Sequence, residues 1–331
     1  AFNYLIMGTI GATFYVIGIG FLYAATGTLN MADMAARLST LSDSSVVQTG
    51  FAFVVVGLGI KAAMFPLHGW LPGAYSYAPS LIAIFLAATA TKTSIYLMAR
   101  FVFDVFPNGA AFGQGFITSV LVPLAAAAAI VCSLQAVFEK EIRRVLAFSS
   151  VAQVGFVLLG LSLASVAGAS AGLFYLAAHA LMKMTLFMAL GGLAISLGAR
   201  RIDELAGVAR DAPWSAVAFG VGAASLAGVP LTVGFLAKWR LIEAALQSGQ
   251  IWIVAVLAIA SLLTLLYVGR MLEAIFFRPA PAGAQRAREA PVGVLVPLLV
   301  LAGLNIWFGL DASLPEQLAN AAARALLGGA S

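Results

Sequence analysis

Charge is the scarcest property of this sequence. Only 9% of its 331 residues are Asp, Glu, Lys or Arg, against about 25% in a soluble domain, so no sizeable soluble domain fits. There is a single cysteine, Cys132, in the apolar run VPLAAAAAIVCSLQAVF. It cannot form an internal disulfide and reads as a packing residue. The two histidines, His68 and His179, have no haem or metal spacing, so no metal is expected. The phosphate-binding pattern GxxxxGK followed by Ser or Thr is missing, which argues against a nucleotide-driven pump. No cofactor and no catalytic centre of the chain's own are expected. The formal charge is +5, but the cations fall between apolar segments and form no basic patch with exposed aromatics, so nucleic acid is not expected as a partner. The short alternating segments of a membrane β-barrel are absent as well. The chain opens at Ala1 without methionine, basic n-region or cleavage site and enters an apolar run at once. This reads as an N-terminally truncated chain with no signal peptide.

What the sequence has in quantity is apolar length. It is 62% hydrophobic with a mean hydropathy of +1.03, which predicts an all-α polytopic membrane protein. About twenty apolar residues cross a bilayer. On that basis about nine transmembrane helices are expected, at roughly 2–24, 46–66, 80–103, 113–136, 142–165, 170–197, 214–236, 251–276 and 290–310. NMADMAARLSTL near 30–41 and the stretch 313–327 read as amphipathic surface helices. Two spans are interrupted. The second runs into Pro66, Pro72 and Pro79, and the seventh is broken at AGVPLTVG around Gly228 and Pro230. Broken backbone at membrane depth survives only beside protein or a water-filled cavity, and paired broken helices mark transporters; the plainer alternative is a proline that merely kinks or ends a helix. One set of alternating connections carries Lys140, Arg143, Arg144, Arg200, Arg201, Arg210, Arg270, Arg278, Arg286 and Arg288. The other carries Arg37, Arg100, Arg240 and Arg324. The richer set is expected on the cytoplasmic side, which puts Ala1 inside and the C-terminus outside.

The lysines break the pattern. Lys61 lies in VVVGLGIKAAMF, Lys92 in IFLAATATKTSIYLM, Lys183 in FYLAAHALMKMTLFMAL and Lys238 just after AGVPLTVGFLAKW, leaving only Lys140 in a charged connection. A charged lysine at mid-bilayer costs about 2.5–3.5 kcal/mol on insertion scales. Such an amine can also exist without its proton, so a row of them suggests a proton path. Lys92 is central in its span. His179 and Lys183 are four apart, on one helix face, and make a plausible relay; the plainer reading of His179 is a hydrogen-bonded core residue. Lys61 and Lys238 are also readable as helix-end lysines that snorkel to the headgroups. His68, in PLHGW, is either a proton carrier or a prop for the broken backbone. Glu273 reads as a local ion pair with Arg270, one turn earlier, and is a further candidate carrier. Glu243, five residues after Lys238, is either its partner or a surface group.

Four segments together resemble one family. GIKAAMFPLHGWLPGAYSYAP is similar to the seventh-helix motif of the antiporter-like proton-translocating subunits of complex I and of Mrp-type cation/proton antiporters. EKEIRRVLAFSSVAQVGF resembles the family's basic cluster followed by a Ser-Ser-x-x-Gln helix start. FYLAAHALMKMTLFMALGG resembles its histidine–lysine helix, and SLAGVPLTVGFLAKW its broken twelfth helix. The resemblance implies that these spans are numbers six to fourteen of a fourteen-helix inverted-repeat fold. Residues 1–331 would form one transmembrane domain, with 1–103 the end of the first repeat, 113–277 the second, and 290–331 a terminal helix and tail.

The resemblance also implies roles. Lys61 matches the seventh-helix lysine, Lys92 the eighth-helix lysine of some members, His179 and Lys183 the eleventh-helix pair, and Lys238 the exit residue of the twelfth helix. The family's fifth-helix glutamate would lie before Ala1. FLAKW and TKTSIYL lean toward the D-type member of a multisubunit Na+/proton antiporter in the bacterial inner membrane. Its partners would be other membrane subunits, protons and lipid, with sodium as a candidate. An antiporter-like subunit of an NADH:quinone oxidoreductase or membrane hydrogenase is the alternative. A non-conducting scaffold with inert lysines is a third.

Overall fold

The computed structural model describes residues 2–41, 44–106, 115–280 and 286–328. Among them no strand occurs beyond a single bridge between Glu141 and Arg201. Helix α1 (Phe2–Thr26) is followed by the short surface helix α2 (Met31–Leu38), capped by the Asn30 side chain on the amides of Ala32 and Asp33. Then come α3 (Ser45–Lys61), α4 (Trp70–Tyr77), α5 (Ser80–Val105), α6 (Ile117–Phe138), α7 (Ile142–Ser162) and α8 (Val166–Leu197). The chain continues through α9 (Pro213–Ala227), α10 (Val233–Gln247), α11 (Ile251–Phe277), α12 (Val292–Leu310) and α13 (Ser313–Gly328).

Seven of these helices are long and apolar enough to cross a membrane: α1, α5, α6, α7, α8, α11 and α12. The expected spans at 46–66 and 214–236 are the two that fall short. They appear as the 17-residue α3 and the 15-residue α9, apolar but shorter, so seven of the nine expected spans are long enough among the described residues. The reason is local. At about 1.5 Å per residue neither reaches the roughly 30 Å of a hydrocarbon core before its break. The expected start of 113–136 at residues 113 and 114 lies outside the described residues, as do Ala1 and residues 329–331.

α8 is the axis of the bundle. It packs against α5, α7, α9, α10, α12 and α13, starts on a Ser165 cap to the Gly168 amide and ends at Gly198 in the left-handed conformation. α7 beside it is buried along nearly its whole length. α1 and α12 are largely exposed on their outer faces, as lipid-facing helices are. α1 lies close against α3 because Gly57 carries no side chain: a Cβ there would sit 2.6 Å from the Tyr15 amide nitrogen.

The connections 139–142 and 200–202 are stitched together, the Ile142 amide donating to the Arg200 carbonyl and the Ile202 amide to the Lys140 carbonyl. Arg143 donates to the Ala78 carbonyl and to Ser80 Oγ, and Arg270 to the carbonyls of Val137 and Glu139. Much of the basic set is thereby gathered at one end. In that connection the hydrogen bond from Arg201 holds the Asp203 carboxyl below the usual carboxylate range. Elsewhere α13 is tied down by Arg240, which grips Glu316 at 2.8 and 3.1 Å and Glu243 at 2.9 Å.

Candidate functional site

The middle of the bundle holds three lysines and a histidine where apolar packing is expected. Lys92 is 7% exposed, Lys238 8%, and His179 and Lys183 not at all. Lys183 reaches from α8 to α7, donating to the Leu146 carbonyl at 2.9 Å and to Ser149 Oγ. The same carbonyl accepts from the hydroxyls of Ser149 and Ser150. The double serine thus turns one turn of an apolar helix into a polar seat for an amine. One turn earlier on α8, His179 is fully buried, and neither ring nitrogen has a partner among the described residues.

Lys92 comes in from α5. Its ammonium donates to the Ala87 carbonyl, five residues back, beside the π-helical stretch Leu86–Ala90. Widened turns of this kind recur at functional positions. Lys92 lies within electrostatic reach of both His179 and Lys183.

Beyond Lys183 the polar groups continue along α7. Tyr175 donates to the side-chain oxygen of Gln153. The Tyr267 hydroxyl, 3.3 Å from Thr264 Oγ1, is also within reach of Ser149 and Gln153. The Tyr175 ring lies 5.6 Å from that of Phe156, and the Lys238 ammonium stands 5.8 Å above the Phe156 ring. Lys238 itself donates to the Ala227 carbonyl at 2.8 Å. That carbonyl belongs to the last residue of α9, where Gly228 turns the chain at φ +88°. The Lys238 stem lies so close over Gly228 that a Cβ there would meet Cδ at 3.0 Å. A cation over a ring face gains about 0.5–2 kcal/mol and a hydrogen bond to a charged group about 1.5–3 kcal/mol. Those sums are comparable to the insertion cost of one lysine, so the seat is adequate without a counter-charge.

None of these lysines has a carboxylate within 4.0 Å among the described residues; every ion pair there is made by an arginine. The row therefore consists of titratable side chains without a counter-charge, separated by hydroxyl and amide side chains.

The other sequence candidates fall elsewhere. Lys61 is the last residue of α3 and is exposed. It lines a cleft of about 470 Å³ with Tyr4, Thr9, Trp70 and Ser94, on the opposite side of α5 from the buried row. The break that follows it is closed by the Trp70 indole, which donates to the Ile60 carbonyl at 2.8 Å. His68 sits in that break, stacked on Phe65 with Nε2 3.8 Å from Cys132 Sγ. Glu273 is exposed and pairs with Arg278, not Arg270. The Glu273–Phe277 turn is π-helical, so the neighbour one wide turn away is five residues on, while Arg270 donates to the carbonyls of Val137 and Glu139. Glu243 likewise pairs with Arg240 and not with Lys238. Ser149 opens the Ser-Ser-x-x-Gln stretch quoted for the family resemblance, whereas Tyr175 and Tyr267 carry no sequence signal beyond a polar atom in an otherwise apolar helix face.

A profile of the family described as NADH:quinone oxidoreductase/Mrp antiporter, TM, matches residues 1–264. The chain is 44% identical over 313 residues to the N subunit of the NADH-quinone oxidoreductase of Desulforudis audaxviator, covering 91% of this chain and 62% of that one. It is 28% identical over 325 residues to the D subunit of the Na(+)/H(+) antiporter of Bacillus subtilis, covering 98% and 65%. Among solved structures it is similar to a chain of the Mrp complex from Dietzia sp., with TM-score 0.89 and 31% identity over 98% of this chain and 67% of that one. It thus spans somewhat less than two thirds of the length of the first two relatives. Fold, motif order and sequence agree, and the chain belongs to the NADH:quinone oxidoreductase/Mrp antiporter transmembrane family.

Proposed function

We propose that the chain carries protons within a membrane complex of several different subunits, along the row Lys92, His179, Lys183 and Lys238. The observation that carries this reading is the set of three buried lysine ammoniums held by carbonyls, a hydroxyl and a ring face, with no carboxylate beside them. Arginine would serve as well for a fixed charge, yet arginine is kept to the ends. An inert scaffold has no use for amines that cost several kcal/mol to bury. Water bridges the gaps in this reading, since buried nitrogens without protein partners, such as those of His179, are the groups that water satisfies.

Lys61 stands apart as a second site of the same chemistry, reached from its own cleft. Residues 1–103 and 113–277 are read as the end of one inverted repeat and the whole of another, each with a broken helix, and 290–331 as terminal helix and tail. The basic end faces the cytoplasm of a bacterial inner membrane in this orientation. Two drivers remain in play, each with its own support. The 44% identity to the N subunit of a quinone oxidoreductase favours a redox-driven complex. The 28% identity to the D subunit of an Na(+)/H(+) antiporter, with the overlay on an Mrp complex, favours exchange with sodium. The lean toward the D-type antiporter member drawn from FLAKW and TKTSIYL is not preferred, because identity to such a protein is 28%.

The test is proton uptake by vesicles containing the full-length assembled complex. Uptake started by NADH and quinone supports the first driver, and uptake started by a sodium gradient supports the second. A Lys183→Ala complex that pumps at the parental rate under either would sink the relay.

A further inference from the structure

α11 packs against α6, α7 and both halves of the second broken helix, α9 and α10. Arg270 fixes its register by donating to the Val137 and Glu139 carbonyls at the end of α6. Three residues before Arg270 stands Tyr267, fully buried. Its hydroxyl donates to Thr264 Oγ1 at 3.3 Å, and Thr264 gives its own proton to the Ala260 carbonyl at 2.8 Å. The first of these is long for a bond between hydroxyls. A phenylalanine would fill the same space, as the fully buried Phe156 and Phe219 do elsewhere in the core. The phenol oxygen therefore adds a desolvation cost that packing does not recover.

That oxygen is in reach of two side chains of α7, Ser149 and Gln153. They are four residues apart and share a helix face. Ser149 accepts from the Lys183 ammonium and holds its own proton on the Leu146 carbonyl. Gln153 accepts from Tyr175 through its oxygen, while its amide nitrogen, fully buried, has no partner among the described residues. Tyr175 and Lys238 in turn meet at one ring, that of Phe156, at 5.6 and 5.8 Å. Tyr267 thus stands across the step between the seat of Lys183 and the surroundings of Lys238.

We infer that the Tyr267 hydroxyl is the bridge by which a proton leaving Lys183 crosses to the Gln153–Tyr175 side on its way to Lys238, so that α11 supplies a member of the path. The inference rests on the proton-carrying reading of the buried lysines and adds a residue and a route between two of them. A hydroxyl suits the post because it accepts and donates at once, through an O–H that rotates. The transfer is a proton exchange only. The Lys183 ammonium gives a proton to Ser149 Oγ, and Ser149 turns its own proton from the Leu146 carbonyl to the Tyr267 oxygen. Tyr267 releases its hydroxyl proton on the Gln153–Tyr175 side, and water passes it to an unprotonated Lys238. Lys183 is left as a neutral amine and Lys238 as an ammonium, and the phenol is neutral before and after. Ser150 keeps the Leu146 carbonyl paired throughout.

The experiment measures proton uptake by vesicles carrying the full-length complex. Parent, Tyr267→Phe, Ser149→Ala and the double variant are matched for assembly by gel filtration. Tyr267→Phe keeps the ring and loses the oxygen. It is expected to pump about tenfold more slowly, the loss that roughly 1.4 kcal/mol on a barrier produces, with little change in melting temperature. Because both hydroxyls lie on one bridge, the double variant is expected to be no slower than the slower single variant. Parental uptake by Tyr267→Phe, or losses that multiply in the double variant, would overturn the assignment and leave Tyr267 as a packing residue. Should Tyr267→Phe fail to assemble, a ring-fluorinated tyrosine at the same position keeps the hydroxyl and makes it more acidic. A several-fold change in uptake then supports the bridge, and an unchanged rate overturns it. Lys183→Ala is run alongside. If it pumps normally, the buried row itself has failed. If it is dead while Tyr267→Phe pumps at the parental rate, only the bridge is wrong.

Discussion

The ammonium of Lys238 reaches back eleven residues to donate to the carbonyl of Ala227, 2.8 Å away. A side chain proposed to carry protons is thereby also the cap of a broken helix. Lys238→Leu is expected to abolish uptake and to lower the unfolding temperature, because it removes the carrier and leaves a buried carbonyl unpaired at about 1–3 kcal/mol. Lys238→Glu keeps a titratable group and is expected to retain more transport than the leucine variant. Vesicle flux at matched protein levels reads this directly, and equal flux from Lys238→Leu and the parent would reduce Lys238 to an anchor.

Gly228 is the hinge of the same arrangement. At φ +88° an L-residue is strained by about 1–2 kcal/mol, and its Cβ would press on the Lys238 stem at 3.0 Å. Gly228→Ala is therefore expected to lower thermal stability in detergent by a few degrees and to slow uptake. An unchanged melting curve would mean that the turn relaxes freely.

Lys183 offers the sharpest chemical distinction. Lys183→Arg keeps the positive charge, but guanidinium does not release its proton in this pH range. Uptake is expected to fall at least about tenfold, nearly as far as for Lys183→Ala, with assembly intact. Full activity of the arginine variant would make Lys183 a fixed charge.

Ser149 tests the seat and not the carrier. Ser149→Ala leaves Lys183 with the Leu146 carbonyl as its one remaining acceptor. A several-fold loss of uptake with little change in melting temperature is the expected result, since the hydroxyl's bond back to Leu146 costs little to lose in a helix. Ser149→Thr, which keeps the hydroxyl, should recover most of the rate.

Lys92 is expected to behave as a carrier too. Lys92→Ala should lower uptake without loss of expression, because the Ala87 carbonyl it leaves lies in a helix that already supplies backbone partners. Normal transport by a well-assembled variant would remove Lys92 from the row.

Much of this site is legible in the sequence, and the reason is that its signals are local. An ammonium inside a long apolar run needs no structure to be noticed, and Pro66 or Gly228 in a span announces a break on its own. The partners are another matter. Ser149 meets Lys183 across 34 residues of chain, and Trp70 finds the Ile60 carbonyl only because the break folds back. Pair rules for regular helices also mislead where the helix widens. The one-turn spacing that favours Arg270 for Glu273 fails in a π turn, where Arg278 is the neighbour. Length is a blunter signal: a break leaves α3 and α9 shorter than a full span even though both are apolar and take part in the bundle.

The two breaks are closed by donors of different kinds. Trp70 offers an indole N–H that is the same at every pH. Lys238 offers a bond that is about twice as strong when the nitrogen is charged as when it is neutral. Under the proposed function, gain and loss of a proton at Lys238 would stiffen and loosen one break while the other keeps its grip. Occupancy at a single nitrogen would then be felt by the backbone of α9 and α10, and not at the break that Trp70 closes.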